Sequence, residues 1–269
     1  MSKERRKGVL AIGAHPDDIE FMMAGTLILL GRAGYELHCM TVANGSGGTT
    51  VHTKEEIIRI RRRESRAACA VIGAAHHPSL VDDMEITYDP RIAARVGTVI
   101  REVNPEILLV PSPEDYMEDH VNTCRLAVSA AFVRGVPNIR TRPARRAVEG
   151  DATVYHALPT GLRDGLRRKV FAGLYVDISA VMGLKREALA CHKSQKEWLD
   201  HSQGMDSYLD AMERMSREVG RMSGRFRYAE GWRRHNHLGF SAKETDPVAA
   251  ALGNKARIDR EYERSLDKR

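Results

Sequence analysis

Two short stretches hold the residues that could do chemistry. His15, Pro16, Asp17 and Asp18 follow directly on an apolar run at 9–14, and Asp119-His120 lies toward the end of the acidic segment 113–122. Carboxylates at the mouth of a buried strand are costly unless they find partners. A metal ion is one such partner. The N-terminus of a helix is another, with Asp17 or Asp18 as N-cap. Spacing alone leaves both readings open. A lone His such as His120 more often caps or hydrogen-bonds than binds metal, unless the fold sets it opposite the first stretch. Two His and one carboxylate, with open positions left, make a catalytic zinc set.

The elements around these residues decide whether they meet. Residues 9–14 read as a buried strand, followed by a helix from about Asp18 to Leu30 and a second strand at 35–42. The loop 44–48 is Gly-rich but lacks the Lys-Ser/Thr of a phosphate-binding loop, and reads as a flexible wall of the site. Thr53 and Glu56 form a capping box for a helix that ends near Gly73. Asp89-Pro90 opens another helix, with Ile92, Val96, Val99, Ile100 and Val103 on one face. Asn104-Pro105 stops it before a strand at 106–111. A further helix is read at 126–133. This alternation predicts an α/β fold: a mostly parallel sheet with helices on both faces. Ligands in such sheets bind beyond the carboxyl ends of the strands, so the two stretches face one crevice.

Past Gly135 the pattern loosens. Strands are expected at 152–158 and 174–178, with Asp177-Ile178-Ser179 leading into a helix that carries His192 and closes at Ser194-Gln195, and another helix at 198–219. The aromatic and basic stretch 226–240 suits a lid or a subunit contact. Residues 1–240 read as a single domain, and 241–269 as a charged peripheral helix or tail.

Hydrophobic content of 42% and charged content of 29% in 269 residues are ordinary for a soluble globular protein. The net charge is +6 and the pI about 9.2. The basic groups are interspersed with acids, aromatics are 6%, and no nucleic-acid-binding signature occurs. They read as solvated faces, with no nucleic-acid partner. There is no apolar run of membrane-span length. The basic start is followed by too short an apolar stretch for a signal peptide. These features predict a cytoplasmic protein. Cys39, Cys69, Cys124 and Cys191 form no CxxC pair and read as free, mostly core thiols.

Together these segments resemble the LmbE-like (PIG-L) N-acetylglucosaminyl deacetylases over most of the chain up to Glu230. The motifs are the strand with Ala14-His15-Pro16-Asp17-Asp18 and Gly25-Thr26, and Arg61 and Glu64 leading to Gly73. They continue with 113–120 ending in Asp119-His120, then Val176-Asp177-Ile178-Ser179 with Lys185 and His192-Lys193-Ser194-Gln195, and finally Tyr228-Ala229-Glu230. The resemblance implies a Rossmann-like fold and a divalent metal, usually Zn2+. His15, Asp18 and His120 match the ligand positions, Asp17 the general base and Arg61 a substrate contact. Asp119 is grouped with Arg61 on the substrate side, orienting either a metal ligand or a substrate group. The implied reaction removes an N-acetyl group from an N-acetylglucosamine conjugate, giving acetate and a free amino sugar. Zinc would acidify a water whose proton Asp17 takes.

An amidase on another N-acyl compound, such as an antibiotic or thiol intermediate, is an alternative. So is a catalytically weak metal- or sugar-binding protein. The resemblance also makes a homo-oligomer plausible. One position departs from the family. Many members carry H-x-D-H where this chain has Met117-Glu118-Asp119-His120. Tyr116, His192 or a His of 233–237 could supply the missing proton donor, or Asp17 acts alone.

Overall fold

A computed structural model describes residues 7–195, 198 and 208–267. The first strand, β1 (Gly8–Gly13), is buried throughout. Its alternate side chains enter two separate cores, Val9 and Ala11 one, Leu10 and Ile12 the other. Strand side chains alternate between faces, so an unbroken apolar strand needs cover on both.

That cover comes from helices. One core packs α2 (Ala24–Arg32), α3 (Lys54–Ile72) and α6 (Met182–Ala190). The opposite core packs α4 (Pro90–Val103) and α5 (Glu118–Phe132). Local signals set several helix ends. Thr53 and Glu56 make the expected capping box, and Gly73 closes α3 with φ 81°. Asp89 caps α4 ahead of Pro90.

The remaining strands are β2 (Glu36–Thr41), β3 (Ala75–His77), β4 (Ile107–Val110), β5 (Thr153–Ala157), β6 (Leu174–Asp177), β7 (Ala229–Arg234) and β8 (Ala256–Ile258). They form one eight-stranded sheet in the order β3-β2-β1-β4-β5-β7-β6-β8. The first five strands are parallel to one another. The pairings of β7 with β5 and β6, and of β6 with β8, are antiparallel. The expected parallel sheet therefore holds for the half that carries the site. β1 connects onward to β2 on one side, while β4 lies on its other side. The crevice beyond β1 and β4 is thus a topological switch point, where α/β sheets bind ligands.

Several expectations need correction. The single helix read from Asp18 is two, α1 (Asp18–Met22) and α2, broken at Met23. The N–H groups of Gly25 and Thr26 donate to the Glu230 carboxylate at 2.8 and 2.7 Å. A partner from outside the helix thus satisfies the first turn of α2. A Cβ at Gly25 would lie 2.5 Å from Ile178 Cγ2, so only Gly fits this approach. The helix read at 126–133 begins at Glu118, which places His120 in its first turn. The helix read at 198–219 is described as α7 (Tyr208–Met222), and residues 199–207 lie outside the described residues. The stretch 226–240 is no lid over 229–234. It is an interior strand with Trp232 fully buried. The segment past Ser241 contributes α8 (Pro247–Leu252), the edge strand β8 and α9 (Arg260–Leu266), with Val248 and Leu252 in the core. Among the described residues, no helix is long and apolar enough to cross a membrane.

Candidate metal centre and active-site cleft

Beyond β1 the chain turns sharply, with the Asp18 N–H donating to the His15 carbonyl at 3.2 Å. Asp17 takes up φ 109°, a left-handed conformation rare for a residue with a Cβ. The turn sends His15 and Asp18 toward His120 at the start of α5. One ligand atom from each lies within 4.8 Å of the others.

Each ligand is held from behind. His15 Nε2 donates to Asp119 Oδ2 at 3.0 Å, which leaves Nδ1 facing Asp18. His120 Nδ1 lies 3.1 Å from Asp115 Oδ1, and its Nε2 lies 3.5 Å from Asp18 Oδ1. Asp18 Oδ2 accepts the N–H groups of Ala14 and His15, at 2.9 and 2.8 Å. The atoms that remain free to converge are Nδ1 of His15, Oδ1 of Asp18 and Nε2 of His120. Carboxylates on the far ring nitrogens fix the tautomer and orientation of metal-binding imidazoles. Burial opposes charge on all three groups. Even so, Asp18 is held below the usual carboxylate range by His120 and His15. His120 is held well above the usual imidazole range by Asp18 and Asp115. The two imidazoles hold protons beside an ionised Asp18 where a divalent cation would replace them, and the donor set fits such a cation.

Asp17 points away from this set. It occupies the N-cap position of α1, but its side chain caps nothing. Instead Oδ2 accepts the Tyr208 hydroxyl, and Oδ1 lies 3.7 Å from Arg61 Nη2. Burial raises its proton affinity, Arg61 opposes this, and Asp18 adds to it. Arg61 is itself buried. Nη1 donates to Gln195 Oε1 and Nη2 to the Pro16 carbonyl. A surface pair of Arg61 with Glu64 does not form, because Glu64 accepts the Ser194 N–H and hydroxyl.

The Gly-rich loop is pinned rather than loose. Gly45 and Gly47 donate N–H groups to Asp83 at 2.7 and 2.8 Å. Gly45 has φ 80°, and a Cβ there would lie 2.3 Å from Arg61 Cδ. We expect Gly45→Ala to cost about 1–2 kcal/mol in stability. It also displaces the Arg61 side chain, cutting turnover about tenfold or more. Urea unfolding and steady-state rates test this, and wild-type values in both contradict it.

These groups line a cleft of about 420 Å³ together with Phe21, Met84, Tyr116, Met117 and Trp198, of which Met84 and Tyr116 are exposed. The structure brings His15, Asp17, Asp18, Arg61 and His120 together around it. Asp119 does not line it. Its contacts are His15 and the Met84 N–H, at 2.9 Å for the latter, which matches orientation of a ligand rather than contact with substrate. Of the groups considered for the position of Met117, only Tyr116 reaches the cleft. Desolvation and the charges of Asp18, Asp115 and Asp17 push its hydroxyl up to about 12. His192 is buried 3.4 Å from Glu20, and His235 packs on His156 at 2.9 Å. Sequence reasoning missed Asp115, Asp83 and Tyr208. The acid-rich run before His120 was a signal for Asp115. Nothing local to Tyr208 marks it.

Residues 10–131 match the family model described as PIG-L, GlcNAc-PI de-N-acetylase. The diacetylchitobiose deacetylase of Thermococcus kodakarensis is 30% identical over 234 residues, covering 84% of this chain and 82% of that protein. The 4-oxalmesaconate hydratase of Pseudomonas putida is 26% identical over 199 residues, covering 71% and 75%. Among solved structures, the N,N'-diacetylchitobiose deacetylase from Pyrococcus horikoshii shares the fold with a TM-score of 0.71. Identity there is 24%, over 90% of this chain and 88% of that one. The strand-turn-helix that bears His15 to Asp18 lies inside the matched segment, and the first relative extends the likeness along most of the chain. By that relationship the chain belongs to the PIG-L family of GlcNAc-PI de-N-acetylases.

Proposed function

We propose that the protein is a metal-dependent hydrolase that removes the N-acetyl group from an N-acetylglucosamine conjugate, releasing acetate and a free amino sugar. The observation that carries this reading is the convergence of His15, Asp18 and His120 within 4.8 Å, beside a fourth polar group, Asp17, that is not part of the set. Two imidazoles and a carboxylate suit Zn2+, and the same donors accept other divalent ions. Bound there, the cation supplies an acidified water and polarises an acyl carbonyl.

The chain's own residues do the rest. Asp17 accepts a proton from water in the cleft and can return it to the leaving amine. Tyr208 and Arg61 hold its two oxygens in place. Tyr116, protonated at neutral pH, donates toward the acyl oxygen, a task Met117 cannot perform. Asp115 and Asp119 keep the two imidazoles in the tautomers that face Asp18. With four free cysteines, we place this activity in the cytoplasm.

Acetate release from N-acetylglucosamine conjugates is expected to fall to background on chelation and to return with added zinc. Turnover that survives complete removal of metal sinks the proposal. The hydratase relative supplies a second reading, hydration of an unsaturated acid. The acidic residues around this cleft argue against a polyanionic substrate. An absorbance assay for loss of the acid's double bond separates the two.

A further inference from the structure

The floor of the cleft fixes where an acyl group must sit, so the rest of a conjugate leaves through the mouth. The mouth is apolar and aromatic. Met84 is 71% exposed and Tyr116 59% exposed, and both line the cleft beside Phe21 and Trp198. Met84 holds φ 65°, a strained conformation for a long side chain, with its N–H fixed on Asp119. Backbone strain of this kind persists where surrounding contacts impose it, typically at functional sites. Here the contact is the carboxylate that orients His15, so the backbone that carries the Met84 side chain is tied to the candidate ligand set. Exposed apolar side chains around a polar floor are the usual lining of an organic ligand site.

The charge of the cleft points the same way. Asp17, Asp18 and Asp83 line it, and Asp115 and Asp119 stand behind its two imidazoles. Among the described residues that line it, Arg61 is the one Lys or Arg. Both of its Nη groups are engaged, and its Nε faces Gly45. Three lining carboxylates face Arg61 alone, and with a divalent cation bound it is the two carboxylates behind the imidazoles that keep the balance negative. The chain as a whole is basic, at +6. A local field of the opposite sign selects against anions.

We propose that the cleft takes a neutral conjugate whose group beyond the amino sugar is apolar or aromatic, seated between Met84 and Tyr116, and that it rejects conjugates bearing a carboxylate or phosphate there. This rests on the deacetylase reading and narrows its substrate class.

The test uses the metal-loaded, full-length protein with three matched substrates: the methyl, phenyl and 4-carboxyphenyl N-acetylglucosaminides. The phenyl conjugate is expected to exceed the methyl one about tenfold in kcat/KM. The 4-carboxyphenyl conjugate is expected to fall about tenfold below the phenyl one. Met84→Lys is expected to narrow that second ratio about threefold. Calorimetric binding of the corresponding free-amine products should follow the same order. Equal or better use of the carboxylated conjugate overturns the inference and leaves the deacetylase reading standing. If no substrate releases acetate but the phenyl glucosaminide binds preferentially, the deacetylase reading fails and the ligand class survives. If binding shows no preference either, both fail.

Discussion

In Asp17→Asn, acetate release falls about 10³-fold in kcat while metal content stays at the wild-type level and KM changes little. The geometry separates these effects. Asp17 directs its oxygens at Tyr208 and Arg61, whereas the convergent atoms belong to His15, Asp18 and His120. Asn keeps the shape and can still accept the Tyr208 hydroxyl through its carbonyl oxygen. It also tolerates left-handed backbone better than most residues, which matters at φ 109°. What it loses is the ability to take a proton. The fall therefore appears in kcat, because the interaction removed is made in the transition state. Metal analysis beside steady-state kinetics decides the matter. A variant that lost its metal would make Asp17 a ligand, and one with full turnover would remove it as the base.

What could be read from the chain before folding was local. His15, Asp17 and Asp18 are contiguous, and the apolar run before them marks a strand whose end they must occupy. His120 joins them through a general property of parallel sheets rather than through spacing. Tyr208 lies far along the chain from Asp17, and its contact depends on how α7 packs against α1 and α6, which no window of sequence reports. The stretch 226–240 was misread for a related reason. Composition shows that Glu230 and Arg233 are charged, but not that they meet Lys185 and Glu114 across the fold at 2.6 and 2.7 Å. Paired in this way, charged residues can sit on a central strand. The three-residue strands β3 and β8 carry too few side chains to show a period of two. Asp83 escapes notice because a Gly-rich loop without phosphate-loop residues reads as a flexible wall, whereas the chain's own carboxylate pins its N–H groups.

Glu230→Ala is expected to lower stability by about 3–5 kcal/mol, with a midpoint of thermal unfolding lower by roughly 10 °C. The carboxylate is 3% exposed and has three donors: Lys185 Nζ at 2.6 Å and the N–H groups of Gly25 and Thr26. Removing it strands a Lys that is 1% exposed and leaves two backbone donors unpaired at the start of α2. The same carboxylate joins β7 to α2 and α6, so its loss loosens the face of the sheet that supports α1 and Asp17. Lys185→Met should cost less, because Glu230 keeps two of its donors. The double variant should be more stable than the sum of the single losses implies, with a coupling of about 1–3 kcal/mol. Urea unfolding of the four proteins measures this directly. A Glu230→Ala protein with an unchanged midpoint would show that the buried pair contributes nothing to the fold. Strict additivity would show that Lys185 and Glu230 act independently despite their contact.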